Sequence, residues 1–226
     1  MTAPINARVA NLIRRANAAA SSGEFIKALR LARESVKKAE NTFHRATQTA
    51  AHYTLATILW ADENASPKEA RKHAARALEL AEIHSDEYYL AMTLLARIDA
   101  GLGNFEYAQA LNENLLEIYQ RKERHQGIAD VLRSLGDLAM KQNDLSTARM
   151  YFEKSLKLYS STVDDPLNHA GLLLSMGSLA YREGNFDTAK QYWEQAHRIG
   201  MHHQYYGVIE SAQMGLNLLA DLPADE

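Results

Sequence analysis

The chain has 226 residues, 46% hydrophobic and 23% charged, with a net charge of -3. That composition supports a buried core but supplies no global basic field for nucleic acid, and aromatic residues are nowhere interleaved with basic ones as a single-strand platform requires. The absence of cysteine excludes disulfides, thiolate metal sites and cysteine nucleophiles and fits a reducing compartment, while no stretch approaches the roughly 18 uninterrupted apolar residues of a membrane span.

The start of the chain carries Arg8, Arg14 and Arg15 and no acid before residue 24, a composition shared with transit peptides. Val9, Leu12, Ile13 and Ala16, however, have helical spacing and read as the first helix of a pair, so the expected location is cytoplasmic. A turn follows at Gly23, Glu24 and Phe25, with a small residue, Ala28, three places on. The same pattern returns in degenerate form at Ala65, Ser66 and Pro67 with Ala70, then at Gly103, Asn104 and Phe105 with Ala108. It returns again at Asn143, Asp144 and Leu145 with Ala148, and in its fullest form at Gly184, Asn185 and Phe186 with Ala189. The aligned third positions are 25, 67, 105, 145 and 186, a period of about 40 residues, which marks a chain of stacked supersecondary units.

Each unit reads as helix, turn, helix. Ahead of the turn at 143–145, Ile128, Val131, Leu132, Leu135, Leu138 and Ala139 recur at spacings of three and four, leaving Asp130, Arg133, Asp137 and Lys141 on the opposite side. After it, Ala148, Tyr151, Phe152, Ser155, Leu156 and Tyr159 form a second stripe. Two amphipathic helices joined by so short a turn must pack antiparallel. Small residues in register, among them Gly136, Gly177 and Ala189, let the helix axes approach closely. Pro67 suits the first turn of a helix and Pro166 falls in a connection, and no Gly/Ser- or Pro-rich linker divides the chain, so one domain spanning 1–226 is expected. Its five pairs cover about 5–41, 43–83, 85–123, 125–162 and 166–201.

These residues resemble the tetratricopeptide repeat family. In the last copy Leu173, Met176, Gly177, Ala180, Gly184, Asn185, Phe186, Ala189, Trp193 and Ala196 fall at the family's signature positions. In the copy before it Leu132, Leu135, Gly136, Ala139, Asp144, Leu145, Ala148, Phe152 and Ser155 do so. The period exceeds the usual 34 or so residues and is similar to the long repeats of kinesin light chains and of bacterial peptide-sensing regulators. Repeat 2, with Thr54, Thr57 and Ile58 at signature positions, is a member by spacing alone. The resemblance covers roughly residues 5 to 200. It implies an all-α, right-handed superhelical solenoid of antiparallel helix pairs that acts by binding other proteins.

Sites of chemistry are not found. Gly101, Leu102 and Gly103 lack the third glycine and the preceding strand of a dinucleotide fold, and there is no phosphate loop. His44, His84, His125 and His169 recur near the starts of successive first helices, as a capping or packing role predicts. His202 and His203 are adjacent and point about 100° apart on a helix, a poor arrangement for sharing a metal. No serine has an elbow or base partner. No cofactor, no metal and no catalytic residue are assigned, and the chain is expected not to be an enzyme.

Recognition remains. In the family the first helix of each pair lines a concave groove, through residues opposite the apolar stripe. On this sequence the partner-binding face so implied is Asn17 in repeat 1, His52, Leu55 and Leu59 in repeat 2, Leu90, Thr93 and Arg97 in repeat 3, Asp130, Arg133, Asp137 and Lys141 in repeat 4, and Leu174, Ser178, Tyr181 and Arg182 in repeat 5. Leu55 and Leu59 also fit the core of a poorly aligned repeat. Arg97, Arg133, Lys141 and Arg182 would receive an acidic side chain or terminal carboxylate of a protein or peptide partner. The carboxylate-clamp likeness is partial, because Asp137 and Ser178 stand where such clamps place asparagine.

Beyond repeat 5, Tyr205, Val208, Ile209, Ala212, Leu216 and Leu219 continue helical spacing, so a capping helix is expected over about 204–221. An apolar outer side at Tyr206 and Met214 would suit a homodimer. The expected function is a non-enzymatic interaction module or adaptor; the alternative is a peptide-sensing domain whose output lies in a separate protein. Nucleic acid and membrane are not expected partners.

Overall fold

The structure, a computed structural model, describes residues 6–220; the outermost parts of the first repeat, from residue 5, and of the terminal helix, to residue 221, lie outside them. The described residues form eleven helices and no strand: α1 (Ala7–Ser21), α2 (Phe25–Glu40), α3 (Arg45–Ala61), α4 (Pro67–Leu80), α5 (Asp86–Gly101), α6 (Phe105–Arg121), α7 (His125–Lys141), α8 (Leu145–Ser161), α9 (Pro166–Arg182), α10 (Phe186–His203) and α11 (Tyr206–Ala220).

The turn motif within each pair has a common backbone cause. The amide N–H groups of Glu24, Asn104, Asp144 and Asn185 each donate, at 2.9 Å, to the carbonyl five residues earlier, on Ala19, Asp99, Ala139 and Ala180. The residue before each donor has positive φ, at Gly23, Gly103, Asn143 and Gly184. This is the left-handed helix termination that glycine makes without strain and asparagine tolerates best among other residues. The pair α3–α4 has no such residue and starts its second helix instead from Ser66, whose hydroxyl accepts the Glu69 N–H, with Pro67 at the first helical position. Pro166 likewise opens α9, below an Asp165 carboxylate cap, rather than lying in the connection.

The fold divides into two compact units, residues 1–111 and 112–226, and the division falls inside α6 rather than at a linker. In the first, α1 packs on α2 and α3, and α3 on α4 and α5, around Leu12, Leu31, Leu55, Leu59, Leu94 and Ile98. In the second, α7 packs on α8 and α9, and α9 on α10 and α11. Its core is built on bulky rings set against glycines. An added Cβ at Gly136 would lie 2.4 Å from the Phe152 ring, and one at Gly177 would lie 2.4 Å from the Trp193 indole. Small residues therefore set the close approach of first and second helices, as their register predicts.

The terminal helix covers the last pair. Val208 and Ala212 join Ala170, Leu173 and Ala196, while Leu216 and Leu219 lie against Ala180, Ala189 and Trp193. Its outer side keeps Tyr206 and Met214 exposed.

Candidate functional site

In the first unit the sequence-derived face is corrected. Leu55 and Leu59 are 1% and 2% exposed and belong to the core. The reason is that α3 touches α1, α2, α4 and α5 and carries almost no charge, so no polar face fixes its rotational phase. His52, 5% exposed, is also buried. Its Nδ1 lies 2.8 Å from Nδ1 of His73 on α4 and the two rings stack at 5.1 Å. The pair lines an open pocket of about 890 Å³ whose wall is α4, with Lys68, Lys72 and Arg76. His52 thus faces the second helix of its pair. Burial, helped by the neighbouring His73 and Arg76, lowers its pKa to about 4, and burial lowers that of His73. The Glu40 carboxylate stands 3.9 Å from His52 Nε2 but is 61% exposed, too well solvated to hold a proton there. Arg97 is exposed on α5, where the sequence places it.

The same unit holds a buried charge that the pattern did not flag. Asp99, fully buried, accepts from Arg71 Nε and from Asn104 Nδ2, each at 2.6 Å. Its position in the turn is that of Ala19, Ala139 and Ala180, so the signal was available: one acid in an alanine column of the repeat alignment.

In the second unit the first helices α7 and α9 and the capping helix α11 lie side by side, and the expected residues of α7 gather there. Tyr159 Oη donates to Asp130 at 2.5 Å, and Arg133 Nη1 stands 4.0 Å from Asp137 Oδ2. The guanidinium lies beside Gly171, where an added Cβ would be at ordinary contact distance, 3.4 Å from Nη1. Burial pushes the carboxyl groups of Asp130 and Asp137 above their usual range, against the nearby Arg133 charge and, for Asp130, the hydrogen bond from Tyr159, with the Ser175 hydroxyl acting in the same sense on Asp137. Lys141 is exposed. Arg182 has structural work: it donates to the Met140 carbonyl and to Asn143 Oδ1, both at 2.6 Å, closing the end of α7. Tyr181 is half-buried against Phe186 and Trp193.

Between α7, α9 and α11 opens a pocket of about 380 Å³, walled by Asp137, Ser175 and Ser178, floored by Trp193, and rimmed by Met214 and Leu218, which are 68% and 46% exposed. Sequence reasoning named Asp137, Leu174 and Ser178 but left out Ser175, on the same helix as Ser178, and, because α11 lies outside the repeats that the alignment covered, Ser211 and Leu218. Among the described residues no group of three or more His, Asp or Glu could hold a metal, and no helix is long and apolar enough to cross a membrane.

Residues 87–161 match the tetratricopeptide repeat family. No curated protein sequence matches the chain. Among solved structures, BtubC (BKLC) from P. vanneervenii is similar at 24% identity and TM-score 0.64, over 84% of this chain and 78% of that one. A putative kinesin light chain repeat protein from Podospora anserina is similar at 16% identity and TM-score 0.65, over 87% and 97%. The Rap conjugation gene regulator of the plasmid pLS20, in complex with the Phr peptide, gives 13% identity and TM-score 0.78, over 96% of this chain and 60% of that one. At these identities the likeness shows the fold alone: a tetratricopeptide-type stack of helix pairs.

Proposed function

From a chain built of tetratricopeptide-type helix pairs, we propose a non-enzymatic module that binds a peptide or protein segment on its first-helix face. The observation that carries this reading is the open pocket between α7, α9 and α11, with Met214 and Leu218 exposed at its rim. Apolar side chains around a few fixed polar groups are the usual make-up of a recognition site. No constellation of nucleophile, base and oxyanion donors accompanies it, so recognition is the chemistry that these groups support. An acidic partner draws less support than the sequence implied, because Arg182 is committed to Met140 and Asn143 and Arg133 lies among two carboxylates.

A second reading, a peptide sensor with a separate output protein, is favoured by the likeness to a Rap protein solved with a peptide. Because this chain spans 60% of that one, the output function of such a protein is not carried over.

The test is selection of peptides from a random display library against the full chain. Selected peptides should lose binding to Ser178→Trp, which fills the pocket, and keep it with Lys190→Trp on the exposed side of α10. The reverse pattern would place recognition on the second helices and reject the reading.

A further inference from the structure

The hydrogen-bonding sense of the pocket between α7, α9 and α11 specifies its occupant. We propose that it receives a basic side chain, lysine or arginine, of the bound segment; this rests on the first-helix reading above and names the chemistry of its partner.

The polar groups facing the pocket are one carboxylate, three serine hydroxyls and an indole. Three of these donors are already committed. Ser178 Oγ donates to the Leu174 carbonyl at 3.1 Å, Ser211 Oγ to the Gly207 carbonyl at 2.8 Å, and Trp193 Nε1 to the Leu174 carbonyl at 3.3 Å. Ser175, on the same wall, keeps a hydroxyl that can donate or accept. Apart from that hydroxyl, what remains toward the pocket is lone pairs: those of Asp137, Ser178 and Ser211. A carboxylate or phosphate, anionic and able only to accept, meets the Asp137 charge and at most one free hydroxyl here, whereas an ammonium or guanidinium is donor-only and matches.

Charge points the same way. The Asp137 side chain is 41% exposed, and Arg133 at 4.0 Å is beyond hydrogen-bond distance. The same Nη1 also lies beside Gly171, and neither Arg133 nor Lys141, the two cations near Asp137, lines the pocket. A partly desolvated carboxylate without a hydrogen-bonded cation gains most from one that arrives with the ligand. The rim suits the rest of such a side chain: Met140, Met214 and Leu218 offer apolar contact for a methylene stem, and methionine adapts to its shape.

The experiment uses peptides selected from the random display library, with affinities measured by calorimetry against the full chain. Peptides that Ser178→Trp excludes should carry a lysine or arginine, and replacing it by norleucine or citrulline should weaken binding tenfold or more. Asp137→Asn, which keeps the shape and adds protons, should cause a similar loss, and the two changes together should cost little more than either. The peptide substitution leaves the protein untouched, so it stands even where the variant perturbs α7. Excluded peptides with no basic residue, or affinities indifferent to both changes, would overturn the proposal and leave the first-helix reading standing. Failure to select any peptide, or selection only of peptides that Ser178→Trp still binds, would reject that reading and the occupant with it.

Discussion

Gly177→Ala tests how the last pair is held together. The glycine lies in α9, where an alanine Cβ would sit 2.4 Å from Trp193 Nε1 and 2.5 Å from Cδ1. The indole cannot retreat, because on α11 the Cβ position of Gly215 lies only 2.5 Å from its Cδ2 and Cε2, and the ring is 3% exposed. Two terms oppose each other. Alanine gains about 1 kcal/mol of helix propensity over glycine, while overpacking a rigid site costs about 1–3 kcal/mol. With a ring pinned on both sides the cost falls at the upper end, so the net loss is about 2 kcal/mol. In a chain of this length that lowers the melting temperature by roughly 4–8 °C, read by circular dichroism at 222 nm, a standard helical signal. Gly207→Ala is the control. Its added Cβ meets nothing within 4 Å, so the variant should be stabilised by up to about 1 kcal/mol. If Gly177→Ala melts at or above the wild type while the control behaves as expected, Trp193 is not wedged between α9 and α11 and the packing account fails.

Arg71→Met should destabilise the first unit by about 3 kcal/mol, since it leaves the buried Asp99 carboxylate without its cation, whereas Asp99→Ala should cost less than about 1 kcal/mol because alanine fills that turn position in other repeats; urea unfolding giving the reverse order would refute this. The histidine pair should make the first unit acid-sensitive. Folded-state pKa values below the unfolded value of about 6.5, near 4 for His52, leave stability intact above about pH 6.5 and remove it as pH falls toward 4, because the unfolded chain then binds protons that the fold excludes. Replacing both His52 and His73 with glutamine should flatten the melting temperature between pH 7 and 4.5, and an unchanged slope would count against the pair. Deleting residues 204–226 uncovers Trp193 and Ala196 and should cost on the order of 3 kcal/mol, from Val208, Leu216 and Leu219, with the other helices retained; an equally stable, equally soluble truncation would show that α11 does not cap the stack.

The helices and their turns were legible because the signals are local. Glycine or asparagine at 23, 103, 143 and 184 is needed for a backbone that other residues adopt only with strain, and the stripes of α7 and α8 have clear polar sides. The face of α3 was not legible. A helix that contacts four others buries nearly its whole surface, so Leu55, Leu59 and His52 offered no polar side from which to set the phase. Arg182 misled for a different reason: its charge is read from sequence, but its commitment to the end of α7, across about 40 residues of chain, is visible only in three dimensions. The pocket was half visible. Asp137 and Ser178 lie in recognisable repeats, whereas Ser211, Met214 and Leu218 come from a helix with no repeat to align against.

The central claim is that recognition takes place on the first helices of the second unit. The most direct measurement is chemical-shift mapping of the isotopically labelled full chain on titration with a peptide from the display selection. Perturbed amides should cluster in α7, α9 and α11, centred on Asp137, Ser178 and Ser211. Perturbations confined to α8 and α10, or to the exposed side of α11 at Tyr206, would contradict it.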